Sequence, residues 1–313
     1  MTDVHRTAPT NFAAIDFVGA WPERIIEWDA PEVDAPLELH VTDAPAVGTE
    51  QGAFLLLHGE PSWSLLYERW IPRLTAAGFR CVAPDLAGFG RSDKPTSDAW
   101  YSYERHCASV RHVIRTLDLR RIHLVVQDWA GPIGLRQLVD DPVRFARAFI
   151  FNTWLHRDDF CYSDGVRLWR RMAMDPDALG GDMPTGRIVA GTMRREHADA
   201  EWVAAAFDAP FDGYASKAGA RAFPAMIPFG EPEVGGAIEQ ARCDAALAAW
   251  TGAPIHLAFG DADPVFPFEQ AEAWVVRIPG ATLDRIPGAG HFVQFDAPED
   301  CLAVVAGRLG LTI

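Results

Sequence analysis

The run Leu124-Val125-Val126-Gln127-Asp128-Trp129-Ala130-Gly131 constrains the fold of this chain more than any other. Residues 122–127 read as a buried strand, because they form a short, nearly continuous apolar run. A helix is predicted over 132–139, so only a tight turn separates the two. A strand that passes through a tight turn into a helix presents the turn residue at the top of the sheet. Here that residue is Asp128. An Asp at a strand end also serves as a helix N-cap or a turn former, so the turn alone leaves both roles open. A presented carboxylate has a specific chemistry. It is ionised at pH 7 and attacks an alkyl carbon without help from a base. The product is an ester, which water must cleave in a second step. The next residue, Trp129, carries an indole N–H on an apolar ring, a donor suited to an anion departing into a dry pocket.

The rest of the chain supplies a sheet for this turn. Strands are predicted at 37–41, 54–57, 80–83, 122–127 and 148–151, and again at 255–259 and 282–286. Helices are predicted at 103–117, 268–276 and 298–309. Such alternation implies an α/β fold, a mostly parallel central sheet flanked by helices. From 152 to 223 the pattern changes: no strand is legible, Pro, Asp and Arg are common, and short helical stretches dominate. The expected organisation is a core domain of residues 1–152 and 224–313, with a helical cap domain of 153–223 inserted after the sixth core strand. The cap would lie over the carboxyl ends of the strands, where ligands bind in such sheets.

Composition narrows the partners. The chain has 313 residues, 49% of them hydrophobic, enough for a large core. Its formal net charge of −15 repels phosphate backbones and anionic lipid, which argues against nucleic acid and membrane partners. No apolar run is long enough to span a bilayer. The five cysteines are scattered and form no C-x-x-C pair, so neither a zinc site nor a disulfide framework is expected. Residues 1–16 lack the apolar core of a signal peptide. A cytoplasmic protein with reduced thiols is the expectation.

Three further segments bear on Asp128. His58-Gly59-Glu60-Pro61-Ser62-Trp63 follows a strand, in the position of a loop that gives one backbone N–H to an oxyanion hole. The donors would be the amides of Glu60 and Trp129. His58 and Gly59 read as a tight, buried turn. The Glu60 side chain either positions a water or is a solvated loop group, and the isomer of the Glu60-Pro61 bond stays open. Phe259-Gly260-Asp261-Ala262-Asp263-Pro264 offers two acids after a strand. Asp263, farther out on the loop, is favoured as the partner of a histidine, and Asp261 as a turn cap. In Gly288-Ala289-Gly290-His291-Phe292, small residues let the backbone bring His291 close. The chain order Asp128, Asp263, His291 is that of nucleophile, acid and base.

Taken together, these segments resemble the haloalkane dehalogenases of the α/β-hydrolase superfamily, in the subfamily with H-G-E-P-[ST]-W and an elbow containing Q-D-W. Pro84-Asp85-Leu86-Ala87-Gly88-Phe89-Gly90-Arg91-Ser92-Asp93-Lys94-Pro95, Ala289-Gly290-His291-Phe292-Val293-Gln294 and the segments 209–212 and 218–224 are similar to the family as well. The resemblance runs from about residue 40 to 300. It implies hydrolysis of a haloalkane to an alcohol, a halide ion and a proton through an aspartyl ester. Asp128 would be the nucleophile, His291 the general base and Asp263 the acid that orients it. It also implies two halide-binding indoles, Trp129 and, on an early cap helix, Trp169, with Trp154 and Trp202 as rivals. No metal and no cofactor are implied. The partners would be a small halogenated aliphatic substrate, halide and water, with the protein a monomer or homodimer. One departure is Ala130, where the family usually has Gly.

Competing readings make different demands. An epoxide hydrolase with the same nucleophile needs cap tyrosines to protonate an alkoxide, and the cap offers Tyr162 and Tyr214. A haloacid enzyme wants an arginine after the nucleophile, where this chain has Trp129. A catalytically silent binding protein of the same fold would typically lack a triad member, and none is missing.

Overall fold

The structure, a computed structural model, describes residues 1–175, 177–179, 182–195 and 199–311. One sheet holds β1 (Glu23–Trp28), β2 (Leu37–Ala44), β3 (Ala53–Leu56), β4 (Arg80–Pro84), β5 (Ile122–Val126), β6 (Phe145–Phe151), β7 (Ile255–Gly260) and β8 (Thr282–Ile286). The order in space is β8-β7-β6-β5-β3-β4-β2-β1. Only β2 runs antiparallel to its neighbours. This is the mostly parallel α/β-hydrolase sheet expected from the sequence. A short pairing of Val4–His5 with Lys94–Pro95 ties the N-terminal segment to the core.

The helices are α1 (Ile71–Ala76), α2 (Tyr103–Thr116), α3 (Ala130–Asp140), α4 (Asp164–Ala173), α5 (Thr185–Thr192), α6 (Ala200–Asp208), α7 (Ala218–Ala225), α8 (Ala237–Ala248), α9 (Phe268–Val275), α10 (Val293–Asp296) and α11 (Pro298–Leu309). Successive strand residues point to opposite faces. Leu55, Leu57, Leu124, Val126, Leu257 and Phe259 meet α2, α3, α8 and α9 on one side. Phe54, Leu56, Val125, Phe149 and Ala258 meet α1 and α11 on the other. Both faces are covered, which is why β3 and β5 are buried at every position and read as near-continuous apolar runs, His123 excepted, rather than alternating. Strand β1 left no such signal. It is an edge strand that buries only Ile26 and Trp28, and its charged residues face water.

Between β6 and β7 lie α4 to α8 and no strand among the described residues. Helix α4 starts at an N-cap, with Ser163 Oγ accepting from the Val166 amide at 3.1 Å. The same hydroxyl donates to the Val265 carbonyl on the loop after β7 at 2.5 Å. Gly165 permits this docking, since a Cβ there would stand 1.8 Å from the Pro264 carbonyl oxygen. Backbone therefore packs on backbone, and α4 comes down over the strand ends.

We expect Gly165→Ala to lift α4 from that loop and lower stability by about 1–3 kcal/mol in denaturant unfolding. Gly191→Ala, in α5 where an added Cβ meets nothing within 4 Å, should instead raise it by about 0.5–1 kcal/mol.

Candidate active site

Asp128 sits in the turn after β5 with φ +52°, a left-handed conformation rare for a side chain other than Gly. Four bonds hold the turn: its own amide donates to the Asn152 carbonyl at 2.9 Å, the Gly131 amide and the Thr153 hydroxyl donate to its carbonyl at 2.9 and 2.5 Å, and the Ala130 amide donates to the Gln127 carbonyl at 3.0 Å. Ala130 opens α3 and is fully buried. The crowding in this turn falls on Gly131, where a Cβ would meet Thr153 Oγ1 at 1.9 Å. Gly59 has a similar reason, because a Cβ there would lie 2.4 Å from Asp128 Cβ. The loop can then approach, and the Glu60 amide donates to Asp128 Oδ1 at 2.9 Å. The Trp129 amide has no protein acceptor among the described residues. The Glu60-Pro61 bond is cis.

His291 Nε2 lies 3.4 Å from Asp128 Oδ2, and its Nδ1 donates to Asp263 Oδ2 at 2.9 Å. Burial disfavours charge on the imidazole, but Asp263 and Asp128 outweigh it and raise the His291 pKa to about 10. Asp263 is buried and fully engaged: Oδ1 accepts from the Val265 amide at 2.7 Å and Oδ2 from Asn152 Nδ2 at 2.8 Å. Asp261 does something else. It accepts from the Gly288 amide at 2.7 Å and pairs with Arg285, capping the turn that leads to His291. The sequence did not single out Asn152, whose amide also spans to Gly260 of β7 at 2.8 and 3.1 Å. An Asn at the end of a buried strand was the available signal. It also gave no role to Gln127, which packs against His291.

A cavity of about 200 Å3 opens above these groups. Asp128, Glu60 and His291 line it together with Pro61, Leu168, Trp169, Met172, Ile188, Val265 and Phe292, so its walls are largely apolar. Trp169 comes from the inner face of α4 and joins the cavity. Trp154 is stacked on Phe266 and edge-on to Trp129, and Trp202 packs on the other face of the sheet. Trp129 is buried, with its ring 4.9 Å from Trp154 and 5.1 Å from Phe223. Neither the Trp129 nor the Trp169 indole N–H has a protein acceptor among the described residues. Neither tyrosine is at the cavity: Tyr162 is buried with its hydroxyl 2.9 Å from His156 Nδ1, and Tyr214 is 61% exposed. A larger groove, about 760 Å3, runs between Tyr101 and Glu239 and contains none of these groups.

Glu60 is not a solvated loop residue. It is buried, and its Oε1 has no partner. Burial, reinforced by the charge of Asp128 and only partly opposed by His291, pushes its carboxyl well above the usual carboxylate range. Among the described residues no group of three or more His, Cys, Asp or Glu is arranged to hold a metal ion.

A sequence model of the alpha/beta hydrolase fold matches residues 52–171. A haloalkane dehalogenase of Psychrobacter cryohalolentis is 36% identical over 94% of this chain and 94% of its own. One from Mycobacterium marinum is 39% identical over 95% and 97%. The solved structure of a tetrameric haloalkane dehalogenase of Paraglaciecola agarilytica superposes with a TM-score of 0.86 at 30% identity, covering 97% of this chain and 98% of that one.

The two aspartates after β7 can be told apart by NMR titration of the His291 ring. In the native protein the imidazolium should persist to about pH 10. Asp263→Asn should bring the midpoint down toward neutrality, and Asp261→Asn should leave it unchanged. A midpoint that ignores Asp263→Asn would refute the pairing.

Proposed function

Because the chain belongs to the haloalkane dehalogenases, hydrolases that act on carbon–halide bonds, we propose that Asp128 is its nucleophile, His291 its general base and Asp263 the acid that orients the base. The reaction turns a haloalkane and water into an alcohol, a halide ion and a proton. The observation that carries the assignment is the chain of side chains Asp128, His291, Asp263 at the floor of an apolar cavity with an indole in its wall.

The carboxylate of Asp128 attacks the carbon bearing the halogen from the side opposite the leaving group. A halide is a weak base and needs no proton. It needs donors where water is scarce, because an anion–dipole contact is stronger there. The indole N–H groups of Trp129 and Trp169, which have no protein acceptor, meet that need. The resulting alkyl ester is then hydrolysed. His291 takes a proton from the water that attacks the ester carbonyl, Asp263 steadies the imidazolium, and the amides of Glu60 and Trp129 receive the oxyanion. Esterification also removes the negative charge of Asp128, so the proton affinity of His291 falls as the hydrolytic step begins.

We take residues 153–223 as a cap closing this cavity over a core of 1–152 and 224–313. The cavity, about 200 Å3, is small and largely apolar. That fits short haloalkanes. The five unpaired cysteines suit a reducing compartment, and we read the protein as cytoplasmic.

Bromide release from 1-bromobutane tests the assignment. Asp128→Ala should abolish it. His291→Gln should give a burst of one bromide per protein, with the alkyl ester on Asp128 visible by mass spectrometry. Trp169→Phe removes one hydrogen bond to a charged group, worth about 1.5–3 kcal/mol, and should weaken bromide binding about tenfold to a hundredfold in a fluorescence titration. Bromide release that survives Asp128→Ala would sink the reading.

A further inference from the structure

Gln127 directly follows β5, the strand that delivers Asp128, yet its side chain packs against His291. It is fully buried. Its amide nitrogen donates to the backbone carbonyl of His291 at 3.0 Å and lies 3.1 Å from His291 Nε2. Its Oε1 is buried without a partner. The orientation of this amide is fixed by chemistry. Turned over, it would set its carbonyl oxygen against the carbonyl oxygen of His291. The group facing Nε2 is therefore an N–H donor, and a second N–H on the imidazole would oppose it.

Nε2 thus stands between contrary influences. Asp128 Oδ2, at 3.4 Å, favours a proton on it. The Gln127 amide disfavours one. The other charged or titratable groups near the ring are accounted for. Asp263 is on the far nitrogen, and Glu60, from the loop after β3, is held toward its neutral form. Arg194, on the segment after α5, keeps its guanidinium on the carbonyls of Gly191 and Met193. Asp296 accepts from the Gly290 amide. When Asp128 becomes an ester its pull on the proton ends, and the Gln127 donor is what remains at Nε2.

We propose that Gln127 is a positioning residue for the hydrolytic half of the reaction: it fixes the backbone of the base and, once Asp128 is alkylated and its charge is gone, disfavours a proton on Nε2 of His291, so that Nε2 can accept one from water. The proposal rests on the assignment of Asp128 and His291 above.

The test separates the two steps with 1-bromobutane. Alkylation is read as the single-turnover bromide burst, and ester hydrolysis as decay of the alkyl-enzyme by mass spectrometry, from pH 5.5 to 9.5. Gln127→Met removes the donor at similar size, and Gln127→Glu replaces it with an acceptor that welcomes a proton on Nε2. The ratio of hydrolysis to alkylation rates at pH 7 should fall at least tenfold in both. The acid limb of the hydrolysis profile should move to higher pH by about one unit in Gln127→Met and farther in Gln127→Glu, with hydrolysis recovering in alkali. If Gln127→Glu does not fold, Gln127→Met carries the same test. Equal losses in both steps, or a hydrolysis profile that does not move, would overturn the proposal and leave Gln127 a packing residue. A burst that survives Asp128→Ala would instead overturn the assignment on which it rests.

Discussion

A carboxylate taken out of water must be compensated by donors already in place, and the site is built around that need of Asp128. The left-handed turn aims the side chain off the end of β5 into an apolar cavity. The Glu60 amide then supplies a hydrogen bond at 2.9 Å, and the imidazole of His291 stands beside the other oxygen. Each compensating group needs support of its own. Gly59 exists so that the Glu60 loop can approach. Asp263 exists beside His291 and is itself satisfied by Asn152 and the Val265 amide. Removing any of these groups leaves a buried polar atom unpaired, which costs more than the bond itself contributes.

The elements between β6 and β7 are tied to the same machinery from above. The His291 amide donates to the Thr192 carbonyl at the end of α5 at 3.3 Å. Asp296 collects the amides of Gly290, Arg194 and Arg195 at 2.6, 3.0 and 3.1 Å, binding the segment after α5 to the loop that carries His291. Helix α4 is docked on the loop that carries Asp263. The apolar walls of the cavity and its polar floor are therefore joined by hydrogen bonds to backbone groups.

Much of this was legible in the chain. Buried parallel strands announce themselves as short apolar runs, and a turn residue between such a strand and a helix has few places to point. The preference for Asp263 over Asp261 followed from loop position; in the structure Asp263 lies on His291 Nδ1 and Asp261 on the Gly288 amide. Strand β1 was illegible because an edge strand with one wet face carries too few apolar residues to stand out. Helix α8 was missed as well, since its alanines give a weak amphipathic period. Glu60 was left between two roles, because burial of a single carboxyl is a property of everything packed around it.

The sequence by itself determined the order of the elements, the carboxylate presented at the turn after β5 and the identity of the groups that can gather round it. Those depend on local pattern and on side-chain chemistry, which are written residue by residue. Only the tertiary structure decided which tryptophan between β6 and β7 enters the cavity, that Glu60 lies buried beside Asp128, and that the Gln127 amide faces His291. These depend on which surfaces meet between segments far apart in the chain. A pairing such as Gln127 with His291, 164 positions apart, is set by the parallel sheet that brings the ends of its strands together.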